Sequence, residues 1–303
     1  MIYSKFLDES QKLSATTPIW ACQARRASHV AVGLYVLLSM CACSVAPTAS
    51  GQAKAAVAPS LSQERIAQIV GSADRSAADQ VNDQRRKPEQ MLAFIGIRPG
   101  MTALDLSAGG GYTTELLARS VGVSGRAFGQ SQPPRAADAP PRAPVAPEGN
   151  ASPTVRRTSV QALAERAKNP ALSNLMPVVR AFEDPVPPEL AGALDLVTLM
   201  FNYHDLGHMG VDRNRMNVAV FAGLKPGGVY VIADHAGRPG TGISESGTLH
   251  RIEEDFLRRE VEAAGFRLQA QGDFLRNPAD PRNKNTPEPA QPKDEFVLKF
   301  VKP

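Results

Sequence analysis

The chain has 303 residues, 43% hydrophobic and 21% charged, so it can bury a sizeable core as one large domain or two small ones. With 34 basic against 30 acidic residues the net charge is only +4, and aromatic content is 6%, which argues against a basic, base-stacking nucleic-acid surface. The three cysteines, Cys22, Cys41 and Cys43, all lie near the N-terminus, so the body of the chain holds no disulfide, thiolate nucleophile or Cys-ligated zinc.

Residues 1–45 read as an export segment. Arg25-Arg26 precede an apolar run, His29 to Met40, and small residues with Cys41 and Cys43 follow. The run is shorter than the ~20 residues a membrane-spanning helix needs. Either cysteine could be the lipidated residue of a lipoprotein signal, or the signal could be cut among the later alanines; an exported, periplasmic or membrane-anchored protein is expected. Residues 46–60, rich in Ala, Pro and Ser, read as a flexible tether. Residues 61–303 then form one domain, interrupted at 133–153 by a Pro/Ala-rich stretch that can continue neither helix nor strand.

Within that domain apolar spacing predicts a helix over Leu61–Val81 and a short one from Pro88 to Phe94. A strand over Gly100–Leu106, a helix opening at Thr113, a strand over Gly125–Gly129 and a helix over Ser159–Ala167 follow. Strands are expected at Met176–Arg180, Leu194–Phe201 and Val229–Ala233, with a helix over Arg213–Leu224. A helix over Arg251–Ala264, stopped by Gly265, precedes two last strands, Phe266–Gln271 and Phe296–Val301. This alternation implies an α/β fold: a mostly parallel seven-stranded sheet with an antiparallel edge strand and helices on both faces.

The informative motif is Asp105-Leu106-Ser107-Ala108-Gly109-Gly110-Gly111-Tyr112, a glycine turn between a strand and a helix. Such glycines let the backbone approach a ligand, and the following helix offers unpaired N–H groups. The glycine spacing does not match the G-x-G-x-x-G of nicotinamide dehydrogenases. It fits D-x-G-x-G-x-G, with Ser107 in place of the first glycine.

On these residues the chain resembles class I S-adenosylmethionine-dependent methyltransferases, in particular an exported bacterial branch labelled only "predicted methyltransferase". Further stretches that carry the resemblance are Arg86-Lys87-Pro88, Ile97 to Met101, Leu224 to Gly228, Ala263 to Phe266 and Asp273 to Pro278. The resemblance implies a Rossmann-like fold and S-adenosylmethionine as cofactor. Backbone of Ser107, Ala108, Gly109 and Gly111 would lie against its methionine part, with Asp105 acting through the amino group or water. Gln130 stands where the second strand should end in an acid for the ribose hydroxyls, and Asp184, with Glu183, would sit near the adenine.

Ligands in such folds bind beyond the carboxyl ends of the strands. There the fourth strand runs into Asn202-Tyr203-His204-Asp205 and the fifth ends at Asp234-His235. His204 is the expected general base, with Asp205 orienting it and Tyr203 and Asn202 beside the transferred methyl. His204, Asp205, His208 and His235 are of metal-ligand type, but no recognised spacing joins them and no metal is expected. His250 reads as the opening of the helix that follows it, and Arg276-Asn277 as a pocket closure or a hairpin cap. The acceptor is a small molecule or an envelope component; nucleic acid is not expected. The alternative is a non-catalytic exported descendant that binds a ligand or a protein.

Overall fold

The computed structural model describes residues 59–134 and 157–303. The export segment, its cysteines, the tether up to residue 58 and residues 135–153 of the insertion lie outside the described residues. Among those described, no helix is long and apolar enough to cross a membrane.

The helix expected over Leu61–Val81 is two helices, α1 (Gln63–Val70) and α2 (Ala77–Arg86). Gly71 closes the first, and the Ser76 hydroxyl opens the second by accepting the Asp79 N–H at 3.1 Å. Serine does this because the first-turn N–H groups have no partner within their own helix. α3 (Pro88–Ile95) begins on a proline, which has no N–H to satisfy. Arg75 holds these helices to the body: it is buried and donates to both oxygens of Asp83, at 2.7 and 2.8 Å, while Asp83 also accepts the Tyr112 hydroxyl at 2.6 Å.

From Thr102 the chain alternates as β1 (Thr102–Leu106), α4 (Tyr112–Val121), β2 (Arg126–Ser131), α5 (Ser159–Arg166) and β3 (Leu175–Val179). It continues through β4 (Leu194–Met200), a short α6 (Asp205–His208), α7 (Arg213–Gly223), β5 (Leu224–His235), α8 (Glu254–Ala263), β6 (Arg267–Gly272) and β7 (Glu295–Val301). The seven strands form one sheet in the order β3-β2-β1-β4-β5-β7-β6. The first five are mutually parallel; β7 runs antiparallel to both β5 and β6, one place in from the edge.

Both faces of the sheet are covered, which explains why its central strands are almost wholly apolar. Ala103, Leu196, Met200, Val231 and Val297 pack on one face with residues of α1, α3, α4 and α5; Leu104, Val197, Leu199, Ile232 and Leu298 pack on the other with α7 and α8. Successive strand residues therefore alternate between two cores. Chain order reverses at β1, with β2 and β3 on one side and β4 and β5 on the other, which opens a crevice at the carboxyl ends.

Candidate active site

A cavity of about 310 Å³ occupies that crevice. Ser107 and Gly109 line it after β1, Gln130 and Ser131 at the end of β2, Phe182 after β3, and Asn202, Asp205 and His208 after β4. Thr158, Ser159 and Val160, at the start of α5, form the facing wall. The size is within the range of sites that enclose a small organic ligand.

The turn from β1 is built on left-handed backbone. Gly109 (φ 55°) and Gly111 (φ 83°) adopt it, and so does Ser107, at φ 53°. Left-handed geometry costs an L-residue about 1–2 kcal/mol, and Ser107 is held in it from both ends. Its N–H donates to Gln130 Oε1 at 2.9 Å and its hydroxyl pairs with Asn202 Oδ1 at 2.7 Å. Phe201, at the end of the neighbouring β4, is also left-handed, at φ 58°. Strained non-glycine backbone at two adjacent strand ends points to a site under functional constraint.

The glycines serve different purposes. A Cβ on Gly109 would meet nothing within 4 Å, so the turn presents bare main chain to the cavity there. A Cβ on Gly111 would come within 2.7 Å of Leu163 Cδ1 in α5, and one on Gly129 within 2.8 Å of Leu163 Cδ2. Gly111 therefore admits a helix and not a ligand. Arg166 fastens that helix by donating to the Gly110 carbonyl and to Asp79, each at 2.6 Å, and to Glu115.

Several expected site residues stand elsewhere. Asp105 is not at the cavity: Thr114 and Thr198 hydroxyls donate to its two oxygens at 2.7 and 2.8 Å. Burial pushes its carboxyl up to about 6 against those hydrogen bonds. Ala108 is spent on a main-chain bond to the Gln130 carbonyl, at 2.9 Å. Gln130 touches the cavity, but its amide is committed to main chain, accepting from Ser107 N and donating to the Arg180 carbonyl at 2.6 Å. β2 ends one residue later, at Ser131, whose buried Oγ has no hydrogen-bond partner and which lines the cavity. Asp184 is exposed and pairs with Arg180, away from the cavity; Phe182 lines it instead. Tyr203 lies in the core, its hydroxyl donating to Glu260 at 2.9 Å and accepting from Asn217 at 2.8 Å. Arg276 and Asn277 tie into Glu254, Asp294 and the Pro292 carbonyl, so they brace the approach to β7.

His204 is not placed as a free base. Its Nδ1 donates to Asp234 Oδ1 at 2.5 Å, its backbone N–H to Asp234 Oδ2 at 2.7 Å, and its Nε2 lies 3.1 Å from Asp205 Oδ1. Burial alone would lower the imidazole, but Asp234 and Asp205 outweigh it and hold it at about 9. A ring already protonated near neutral pH cannot accept a proton. Asp205 is brought to the cavity and, despite partial burial, the hydrogen bonds of His204 and His250 keep its carboxyl well below the usual range. His250 comes from a distant loop and places Nδ1 2.8 Å from Asp205 Oδ1, while the same oxygen is 3.8 Å from His208 Nδ1. His235 is buried 5.2 Å from the His204 ring, and burial drives its imidazole well below its ordinary value. Ser131 and Phe182 were missed, Asp234 was noted at its strand end without a role, and His250 was read only as a helix opening; strand-end position is the signal that could have flagged Ser131 and Asp234.

No family model matches the chain, and no curated protein does. Among solved structures, a SAM-dependent methyltransferase from Aquifex aeolicus is similar at 16% identity, over 80% of this chain and 100% of that one, with a TM-score of 0.51. The fold is that of the Rossmann-like methyltransferases. The arsenic(III) S-adenosylmethionine methyltransferase of Chlamydomonas reinhardtii is also similar, at 15% identity over 82% of this chain and 74% of that one, with a TM-score of 0.47.

Proposed function

We propose that this chain binds S-adenosylmethionine on the Ser107–Gly109 face of the turn and transfers its methyl group to a small-molecule or envelope acceptor. The observation that carries the reading is the cavity itself. It sits at the switch point of the sheet, against open main chain at Gly109, and Ser131, whose buried hydroxyl has no partner, lines it. A buried hydroxyl without a partner is costly unless a ligand completes it. Ser131 would hold a ribose hydroxyl, Phe182 would pack on the base, and Asn202 would fix the turn through Ser107. The cofactor supplies an activated methyl; the chain supplies position and the exclusion of water. Export, as a periplasmic protein or a membrane-anchored lipoprotein, is part of this reading.

Calorimetry of the full chain with S-adenosylmethionine and with its demethylated product tests it. Micromolar binding of either supports the proposal; no heat at millimolar ligand refutes it. One observation favours a second reading, a non-catalytic binding descendant: no carboxylate ends β2, and Asp205 is the one carboxylate on the cavity wall among the described residues. Binding without methyl loss in the presence of cell-envelope extract would select that reading.

A further inference from the structure

We infer that His204, Asp205 and His250 form a divalent transition-metal site at the rim of the cavity, of the zinc type. The inference rests on the cofactor reading only for what the metal is used for, not for its existence. His204 Nε2 and His250 Nδ1 converge on Asp205 Oδ1, at 3.1 and 2.8 Å, and the three ligand atoms lie within 4.8 Å of one another. Tetrahedral bonds of ~2.0–2.1 Å to two nitrogens and one oxygen set neighbouring ligand atoms about 3.3 Å apart. The two nitrogen–oxygen separations are therefore within about 0.5 Å of those a bound cation would require. No expected spacing announces the set, because His250 lies 45 positions beyond Asp205.

The surroundings of the ligands separate this from an ordinary ion-pair cluster. A ligating imidazole characteristically gives its other N–H to a carboxylate or carbonyl, and a ligating carboxylate is itself hydrogen-bonded. His204 gives Nδ1–H to Asp234, which is wholly buried and also takes the His204 backbone N–H. This fixes the tautomer so that Nε2 faces Asp205. The second oxygen of Asp205 is held by Asn202 Nδ2 at 3.0 Å, and Asn202 is tied in turn to Ser107 on the glycine turn. Two of the three ligands are thus aimed from behind, one of them through a residue that also shapes the cavity.

Two histidines and a carboxylate leave a fourth position open, the arrangement of catalytic rather than structural zinc. Asp205 lines the cavity, so that position opens toward it. A hydroxyl- or thiol-bearing acceptor bound there would be held as its anion, its proton passing to water.

The test is cobalt(II) titration of the chelator-treated full chain, followed by its visible ligand-field bands and by displacement with zinc. One equivalent with the intense bands of four- or five-coordination is expected. His250→Ala should weaken binding at least tenfold, and Asp234→Asn by about 10–100-fold. His250→Gln, closer in size, serves if the alanine variant does not fold. Absence of stoichiometric binding, or binding unchanged in the His250 variants, overturns the inference. Cofactor calorimetry on the same chelated sample is read separately: metal binding without cofactor binding refutes the functional reading alone, and the reverse refutes the metal site alone.

Discussion

Replacing Asp105 by asparagine should make the protein more stable at neutral pH, although the residue ends the first strand next to the glycine turn. Its carboxyl is wholly enclosed and is pushed up from 3.8 to about 6. The folded state therefore keeps its proton over a range where the unfolded chain has lost it. The stabilisation is complete below about pH 4 and disappears as pH rises through about 6. At ~1.4 kcal/mol per pH unit, this interval corresponds to about 3 kcal/mol. Asparagine remains neutral throughout and keeps one acceptor for Thr114 or Thr198, losing at most about 1 kcal/mol in hydrogen bonding. Urea unfolding at pH 4 to 8 measures this. The variant should be slightly less stable than the parent at pH 4 and more stable by roughly 2 kcal/mol at pH 7.5. Glu295, raised to about 7 by burial, destabilises with rising pH in the same direction. It is present in both proteins and cancels in the difference. A parent-to-variant difference that stays constant from pH 4 to 7 would refute the argument.

Gly111→Ala should cost roughly 2–5 kcal/mol, from left-handed strain and the clash with Leu163, whereas Gly110→Ala meets nothing and should cost under about 0.5 kcal/mol; thermal melts of the pair separate the two. Ser107→Ala should lose about 1 kcal/mol with the Asn202 bond, while Ser107→Gly should be near neutral, because relief of the φ 53° backbone offsets that bond. Denaturant midpoints that rank these two variants the other way would contradict the strain assignment. Ser131→Ala should leave stability within about 0.5 kcal/mol, as its hydroxyl has no partner to lose, but weaken S-adenosylmethionine by about 5–10-fold in calorimetry.

The fold was legible because a sheet covered on both faces writes itself as apolar runs, and these runs fell at β1, β4 and β5. Boundaries were less so. The helix expected over Leu61–Val81 ignored Gly71 and Ser76, whose stop and start signals divide it. The site was legible as a set of strand ends, not as a set of side chains. Neighbouring residues at a strand end point to opposite faces, so an error of one position exchanges cavity for core. Gln130 does line the cavity, but the partnerless hydroxyl is that of Ser131 beside it, and of the chosen pair Asn202 and Tyr203 only Asn202 lines the cavity while Tyr203 lies in the core. His204 was expected as a base from its place at a strand end, and its contact with Asp234 of β5, 30 residues away, could not be read there. His250 carried no local signal at all.

Leu163 touches no part of the cavity, yet it rests on Gly111 and Gly129 together and seats the helix whose first residues form the far wall. The width of the crevice is consequently set in part by one leucine behind it, with Arg166 fastening the same helix. Shortening that side chain would let the wall settle inward, although a methyl group on Gly111 would still meet Arg166 and one on Gly129 would still meet Thr114. Changes in what the crevice admits can thus arise from a residue that no ligand ever meets.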